Sequence, residues 1–294
     1  MSKNEIDEST GVETTGHEWD GIKELDNPMP RWWLWTFYAT IVFAIGYMLY
    51  YPAIPLIEAS TMGISGTTNR SLLKDEMALV ADSRRDRIAM LAETDLETVR
   101  KNEELVRFAA AGGASLFKVY CTQCHGSGAA GGPGYPNLND DDWLWGGDLE
   151  AIYTSIAHGI RNDEDDDARD SQMPAFGADG ILESEEIAAV TEYVLKISNQ
   201  EHDAGLATTG ETIFAENCAA CHGENGRGDR ELGAPNLTDA ISLYGNTRPT
   251  ITAQVKRPQQ GVMPPWVDRL GEASIKQLAI YVHSLGGGEE ANPE

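Results

Sequence analysis

The chain has 294 residues and a formal net charge of −25 at pH 7, with 47 acidic side chains against 22 Lys and Arg. Its length predicts about two domains. The acidic balance excludes nucleic acid as an expected partner, because a phosphate backbone is bound through Lys and Arg. It favours either a basic protein partner or simple solubility.

One long uncharged stretch, residues 32–57, lies in the N-terminal part of the chain, with tryptophans at its start and tyrosines towards its end. About 20 apolar residues span a bilayer, and aromatic residues at both ends are typical of a transmembrane helix. The 31 residues before it are acidic, unlike the basic start of a cleavable signal peptide. We predict an N-terminal segment 1–31 followed by an uncleaved anchor, residues 32–57, that ends near Pro52 and Pro55.

Residues 58–107 are predicted to form a helical linker. Thr94-x-x-Glu97 matches a capping box at a helix start, and the apolar pattern that follows is predicted to stop at Gly112–Gly113. The linker is interpreted either as a solvated spacer or as a segment that docks on a neighbouring protein.

Two Cys-x-x-Cys-His motifs use all four cysteines of the chain. This spacing is typical of covalent c-type haem attachment, in which the thiols bind the haem and the adjacent histidine binds its iron. We therefore predict two covalently bound haem c groups and electron transfer as the function. The predicted residues are Cys121, Cys124, Cys218 and Cys221 for attachment and His125 and His222 for iron ligation.

The segments around the two motifs repeat each other. Each has Gly-x3-Phe-x3-Cys before the motif, then Pro-Asn-Leu, a Met-Pro pair and a final helix with Ile-x5-Tyr-Val. This order resembles the small class-one cytochromes c, in which the first and last helices cross and a Met loop closes the haem. We predict a mainly α protein with one N-terminal transmembrane helix, a helical linker and two class-one cytochrome c domains in tandem. Their predicted ranges are 108–200 and 204–287, with a hinge at 198–210 and a disordered tail at 288–294.

The Met-Pro pairs supply the second axial ligands. Methionine sulfur raises the reduction potential and suits an electron relay, and the proline restricts the loop that holds it. We predict Met173 opposite His125 and Met263 opposite His222, each pair within one repeat. His158 is a rival ligand of the first haem, although a hydrogen bond to a propionate is the favoured interpretation.

Residues 161–170 form an acidic stretch just before Met173. It is interpreted either as a solvated loop or as a docking edge for a basic electron donor. Trp143 and Trp145 are predicted to pack over the first haem.

The segment from His17 to Trp35 reads His-Glu-Trp-Asp-Gly-Ile-Lys-Glu-Leu-Asp-Asn-Pro-Met-Pro-Arg-Trp-Trp-Leu-Trp. It resembles the N-terminal signature of subunit III of cbb3-type cytochrome c oxidases, the membrane-anchored dihaem cytochrome known as FixP or CcoP. The resemblance extends over the anchor, the linker and both haem segments, including Pro-Asn-Leu-x4-Trp-Leu-Trp-Gly-Gly.

The resemblance implies a subunit of an enzyme complex with no catalytic centre of its own. It would accept electrons from a soluble or membrane-bound cytochrome c. It would pass them through two His/Met haems to the monohaem and haem–copper subunits, where oxygen is reduced to water and protons are translocated. Because c-type haems are attached outside the bacterial cytoplasmic membrane, the haem domains are expected in the periplasm and the N-terminus in the cytoplasm.

Two other functions remain open at this stage. A dihaem peroxidase would need one haem that lacks or releases its methionine. An assembly or scaffold protein would depend on the anchor and linker rather than on redox chemistry.

Overall fold

The computed structural model describes residues 5–239 and 241–290. The chain divides into two compact units, residues 1–83 and 84–294. In the first unit, β1 (Thr14–Trp19) and β2 (Ile22–Leu25) form an antiparallel hairpin. Its turn residues Asp20 and Gly21 have φ values of 52° and 83°, the left-handed backbone that tight hairpin turns require.

Helix α1 (Arg31–Tyr50) follows the hairpin and buries none of its residues. Within residues 5–239 and 241–290, it is the one helix long and apolar enough to cross a membrane. The structure confirms a helix of suitable length and composition at the predicted anchor. The helix ends at Tyr50, so residues 51–57 of the predicted anchor lie beyond it. Pro52 accounts for this earlier end, because proline disfavours helical backbone in the residue before it.

The protein is mainly helical, as predicted. The other helices are α2 (Asn69–Glu93), α3 (Leu96–Lys101), α4 (Glu103–Tyr120), α5 (Thr122–His125), α6 (Leu149–His158), α7 (Ser184–Ile197), α8 (Ala204–Asn217), α9 (Ala219–His222), α10 (Arg248–Lys256), α11 (Val267–Leu270) and α12 (Glu272–His283).

The end of the predicted linker belongs to a hydrophobic core. Leu91, Leu96 and Val99 are buried with residues of α4, α6 and α12, so the C-terminal part of the predicted linker packs on the cytochrome helices. Helix α3 is capped by Asp95, which accepts a hydrogen bond from Thr98 N, rather than by Thr94. Helix α4 continues through Gly112–Gly113, where the sequence pattern predicts its end.

The long helices of the two repeats pack across repeats. Helix α4 of the first repeat packs on α12 of the second, and α7 of the first repeat packs on α8 of the second. Each pair forms the crossing that the class-one pattern predicts. The C-terminal helix of each crossing, however, comes from the other repeat.

We define the first body as residues 91–160 with 262–290, and the second body as residues 172–257. The second body is continuous in the chain and is inserted between α6 and the Met263 loop of the first body. The predicted domains 108–200 and 204–287 therefore do not match the packing. The predicted hinge at 198–210 is instead the turn between α7 and α8 together with the start of α8.

An ion pair between a buried carboxylate and a half-exposed arginine accompanies the packing of α7 in the second body. Glu192 on α7 has 8% of its side chain exposed and pairs with Arg248 at the start of α10. It also accepts a hydrogen bond of 2.7 Å from Asp203 N. The equivalent positions in the first body are Ile280 and Leu149, which are 4% and 3% exposed and share one apolar cluster. Packing within repeats would place Glu192 beside Leu149 without a cation, which is unfavourable.

The chain end is partly ordered. Glu289 N donates to Gly147 O at 2.8 Å, and the Glu290 carboxylate pairs with Arg100. These contacts involve residues 289 and 290 of the predicted disordered tail, while residues 291–294 lie outside the described residues.

Both helix crossings require glycine. A methyl group on Gly113 would overlap Gln277 O, and one on Gly210 would overlap Ala189 O. We expect Gly113→Ala or Gly210→Ala to destabilise the protein by about 3 kcal/mol, the upper part of the usual overpacking range. Thermal unfolding of the detergent-solubilised chain measures the effect. Gly128→Ala, where nothing lies within 4 Å of the added methyl, is the matched control, and equal melting temperatures would contradict the crossing.

Candidate haem sites

Each Cys-x-x-Cys-His motif forms a single helical turn at the end of a long helix. Helix α4 ends at Tyr120 and α5 follows, with His125 N donating to Cys121 O at 2.9 Å. In the second motif, His222 N donates to Cys218 O at the same distance. Because residues three and four apart lie on one side of a helix, the two thiols and the imidazole of each motif face the same way.

The imidazole of each motif is held by a proline carbonyl. His125 Nδ1 lies 3.2 Å from Pro136 O, and His222 Nδ1 lies 3.1 Å from Pro235 O. With Nδ1–H donating to the carbonyl, Nε2 is the nitrogen available to a metal. The Pro-Asn-Leu landmark of each repeat therefore orients the predicted iron ligand.

Glycine shapes the loop between each histidine and its proline. Gly131 and Gly228 have φ values of 64° and 81°. A methyl group on either glycine would overlap carbonyl oxygens of the segment that contains the proline. These close approaches bring the proline carbonyl to the imidazole, and only glycine permits them at low cost.

Burial sets the protonation of the site residues. It lowers the pKa of His125 and of His222, although the hydrogen bond to the proline carbonyl opposes this effect. The neutral imidazole that binds metals is therefore favoured. Burial, together with the neighbouring cysteine, raises the pKa of Cys121 and of Cys218 to about 11.

The two predicted methionines are exchanged between the sites. Met263 packs on the first body's core together with Cys121, and Met173 packs on the second body's core together with Cys218. This packing differs from the predicted pairing of Met173 with His125 and of Met263 with His222. The chain crosses between the bodies after α6, so each methionine packs on the same core as the first cysteine of the other repeat's motif.

Backbone hydrogen bonds fix the exchanged Met263 loop at the end of α6. Met263 and Ile160 exchange two hydrogen bonds of 2.9 Å, and Trp266 N donates to Ala157 O at 3.0 Å. The Met173 loop contacts the segment that leads back from the second body to the Met263 loop, because Gln260 Nε2 donates to Met173 O at 3.0 Å.

Each body thus offers two thiols on one helical turn, an imidazole oriented through Nδ1 and a thioether in an apolar cluster. Thioether attachment and His/Met axial ligation require this set of donors. The residues therefore fit a haem c group in each body.

Other residues singled out in the sequence have different roles. The His158 ring contacts Asp165, with Nδ1 and Oδ2 3.0 Å apart, so its Nδ1 faces the acidic stretch. Trp143 packs on the first body's core and donates Nε1–H to Gly287 O at 2.7 Å.

Sequence reasoning missed two arginines in the acidic stretch 161–170. Arg161 donates from Nε to Gly261 O at 2.8 Å, which joins the two crossing segments. The Arg169 guanidinium lies 5.2 Å from the Trp145 ring centre. The stretch is acidic overall, so its arginines were interpreted as part of a solvated loop. No sequence signal predicted that their side chains face the protein.

Comparison with known proteins identifies both parts of the chain. Residues 11–58 match the model of the N-terminal domain of cytochrome oxidase-cbb3, FixP. Residues 108–194 and 205–282 match that of cytochrome c oxidase, cbb3-type, subunit III, which confirms two cytochrome segments in tandem along the sequence.

Curated relatives cover nearly the full chain. The cbb3-type oxidase subunit CcoP of Cereibacter sphaeroides is 58% identical, over 94% of this chain and 95% of its own length. The subunit FixP of Rhizobium etli is 52% identical, over 98% of this chain and 100% of its own. FixP of Bradyrhizobium diazoefficiens is 48% identical, over 97% and 99%.

Proposed function

Because the chain belongs to the FixP/CcoP family of cbb3-type oxidase subunits, we propose that it relays electrons through two haem c groups into the oxidase. It is a membrane-anchored, accessory cytochrome subunit of that complex. The donor is a soluble or membrane-bound cytochrome c. The acceptors are the monohaem cytochrome and haem–copper subunits, where oxygen is reduced.

One observation carries this proposal. In each body, a motif imidazole is oriented by a proline carbonyl, and a partly buried methionine packs on the same core as the first cysteine of that motif. The proposed ligand sets are His125 with Met263 and His222 with Met173. Covalent attachment is through Cys121 and Cys124 in the first body and through Cys218 and Cys221 in the second. Methionine ligation raises the potential and suits electron transfer rather than ligand chemistry.

Helix α1 gives the proposed membrane topology. The haem bodies lie in the periplasm of a bacterium, because covalent haem attachment takes place there, and the N-terminal hairpin lies in the cytoplasm. Both bodies are then accessible to a periplasmic donor while α1 (Arg31–Tyr50) joins the other subunits in the inner membrane.

Purification in mild detergent, followed by haem staining and oxygen uptake with reduced cytochrome c, tests the relay. We expect the chain to carry two haems and to co-purify with a haem–copper subunit. A variant with all four cysteines changed to alanine tests the need for haem, since it should abolish donor-driven oxygen uptake even where the other subunits are still recovered.

Two outcomes would contradict the proposal. Normal oxygen uptake by an assembled cysteine variant would favour a scaffold role. A high-spin ferric haem together with peroxide reduction by the wild-type chain would favour a peroxidase.

A further inference from the structure

The N-terminal hairpin has a regular backbone but buries almost nothing. Strands β1 and β2 pair in antiparallel fashion, and Thr14 N donates to Glu5 O at 2.8 Å. Thr14 is nevertheless the one buried residue in the described segment 5–27. An isolated two-stranded hairpin is only marginally stable in water. A partner that covers the hairpin would supply the stability that it lacks by itself.

An exposed apolar pair lies at the tip of the hairpin. Trp19 and Ile22 are partners in the strand register, on either side of the turn. Directly opposed residues of an antiparallel pair have their side chains on the same face. These two side chains belong to residues that are 67% and 72% exposed. Aromatic residues are enriched in protein interfaces, so the tip has the composition of an interface centre.

The rest of the hairpin is strongly acidic. Segment 5–27 contains one lysine and eight acidic residues, which are Glu5, Asp7, Glu8, Glu13, Glu18, Asp20, Glu24 and Asp26. The lysine, Lys23, already pairs with Glu5. A complementary partner therefore presents Lys and Arg around an apolar centre. The anionic lipids of a cytoplasmic leaflet would repel this hairpin.

The hairpin is held close to the membrane helix. Residues 26–30 alone separate β2 from α1, so the chain spans at most about 20 Å between Leu25 and Arg31. In the proposed topology the hairpin then lies at the cytoplasmic surface. The haem–copper subunit of the proposed complex translocates protons and must therefore cross the membrane. Cytoplasmic loops of membrane proteins carry an excess of Lys and Arg, which is the charge that complements the hairpin.

We propose that the hairpin docks through Trp19 and Ile22 on the Lys- and Arg-rich cytoplasmic loops of the haem–copper subunit. This inference rests on the proposed function, because it requires that topology and that complex. The haem bodies lie on the other side of the membrane and take no part in this contact. The hairpin therefore holds the subunit in the oxidase independently of the electron relay.

Photo-cross-linking in the assembled oxidase tests the contact directly. Benzoylphenylalanine, a photoreactive residue, replaces Trp19 in one chain and Ile64 in the matched control. Ile64 is 79% exposed and follows α1, on the opposite side of the membrane in the proposed topology. We expect position 19 to cross-link to a cytoplasmic segment of the haem–copper subunit that contains Lys or Arg. A cross-link from position 19 only to lipid, to a second copy of the chain or to a different subunit would overturn the inference.

The apolar tip is tested by the rate at which the chain dissociates from the purified oxidase in mild detergent. We expect Trp19→Ser/Ile22→Ser to raise this rate about tenfold, because the interface loses buried apolar area. Ile64→Ser removes an equally exposed apolar residue and should leave the rate unchanged. A double variant that dissociates as slowly as the wild type would contradict docking through the tip.

The acidic surface is tested by the salt dependence of the same rate. Salt should speed dissociation of the wild-type chain, because it screens charges at the rim of the interface. Glu18→Gln/Glu24→Gln should dissociate about threefold faster at low salt, since exposed ion pairs contribute little each, and should respond less to salt. Glu103→Gln/Glu104→Gln, which removes two charges from α4, is the control. An equal response to salt in both variants would overturn the charge complementarity.

Hydrogen exchange gives a measurement that needs no substitution, in case the serine variant unfolds the hairpin. We expect the paired amides of β1 and β2 to exchange at least tenfold more slowly in the assembled oxidase than in the isolated chain, because local opening governs exchange. Amides in the middle of α4 should exchange equally in both states. Equal exchange of the hairpin amides in both states would overturn the inference.

Failure of the proposed function is recognised separately. A wild-type chain that lacks its haems, or that does not co-purify with a haem–copper subunit, would contradict the proposed function itself. A dihaem chain that assembles with that subunit but gives no cross-link from position 19 would overturn only the docking of the hairpin.

Discussion

A chain that keeps only the haem on Cys218 and Cys221 should become high-spin when Met173 is replaced by alanine, and should remain low-spin with Met263→Ala. The reason is the exchange of Met loops, which places Met173 with Cys218 and Met263 with Cys121. Cys121→Ala/Cys124→Ala provides the single-haem background. The far-red Met-to-iron absorption of the ferric protein is the measurement, and we expect its complete loss in the Met173 variant.

The reciprocal background makes the experiment internally controlled. In Cys218→Ala/Cys221→Ala, Met263→Ala should abolish the far-red absorption and Met173→Ala should leave it. The opposite result would refute the exchange and support pairing within repeats. In that case the absorption would be lost on replacing Met263 in the first background and on replacing Met173 in the second.

A fragment of residues 165–260 should fold alone and bind one haem with His/Met ligation. It contains the whole second body, including the crossing of α7 and α8, the motif at Cys218–His222 and Met173. The Glu192–Arg248 ion pair lies within it as well. Export to the periplasm, haem staining and the far-red absorption are the measurements.

The fragment 84–200 is the contrasting case. It contains the complete first repeat but lacks α12, which packs on α4. If α7 replaced α12, Glu192 would be buried beside Leu149 without Arg248. A carboxylate packed against an apolar side chain without its cation is destabilising, and the fragment also lacks the α4–α12 crossing. We therefore expect this fragment to be unfolded or unable to form a Met-ligated haem. A stable His/Met cytochrome from residues 84–200 would contradict the interleaved packing.

The interleaving changes how mutations at either haem should be interpreted. Each body depends on residues from both repeats, so a change near one motif can alter the other haem through the crossing segments. Arg161 joins these segments by its hydrogen bond to Gly261 O, and Gln260 reaches back to Met173 O. Both hydrogen bonds lie in the short segments where the chain crosses between the two bodies.

Local chemistry made several features predictable. Two thiols and a histidine at fixed spacing specify covalent haem attachment wherever the chain places them. An uncharged stretch with aromatic residues at both ends predicts a membrane helix by its length and composition. The end of that helix could be located only within a few residues, because the apolar pattern continues past Pro52.

The sequence pattern could not show which methionine lies opposite which motif histidine. The two repeats carry the same landmarks in the same order, so Met173 and Met263 satisfy the pattern at either haem. Arg169 was concealed in the same way, because an arginine among aspartates reads as a solvated residue until its neighbours in space are known.

A candidate membrane helix, two Cys-x-x-Cys-His turns and the residues able to ligate iron were predictable because each depends on residues close together in the chain. Which methionine packs beside which motif became visible only in the folded protein. That choice depends on long-range complementarity, with Glu192 matched to Arg248 and Ile280 matched to Leu149. Sequence motifs that recur in both repeats do not show which of these side chains will contact each other in the folded protein.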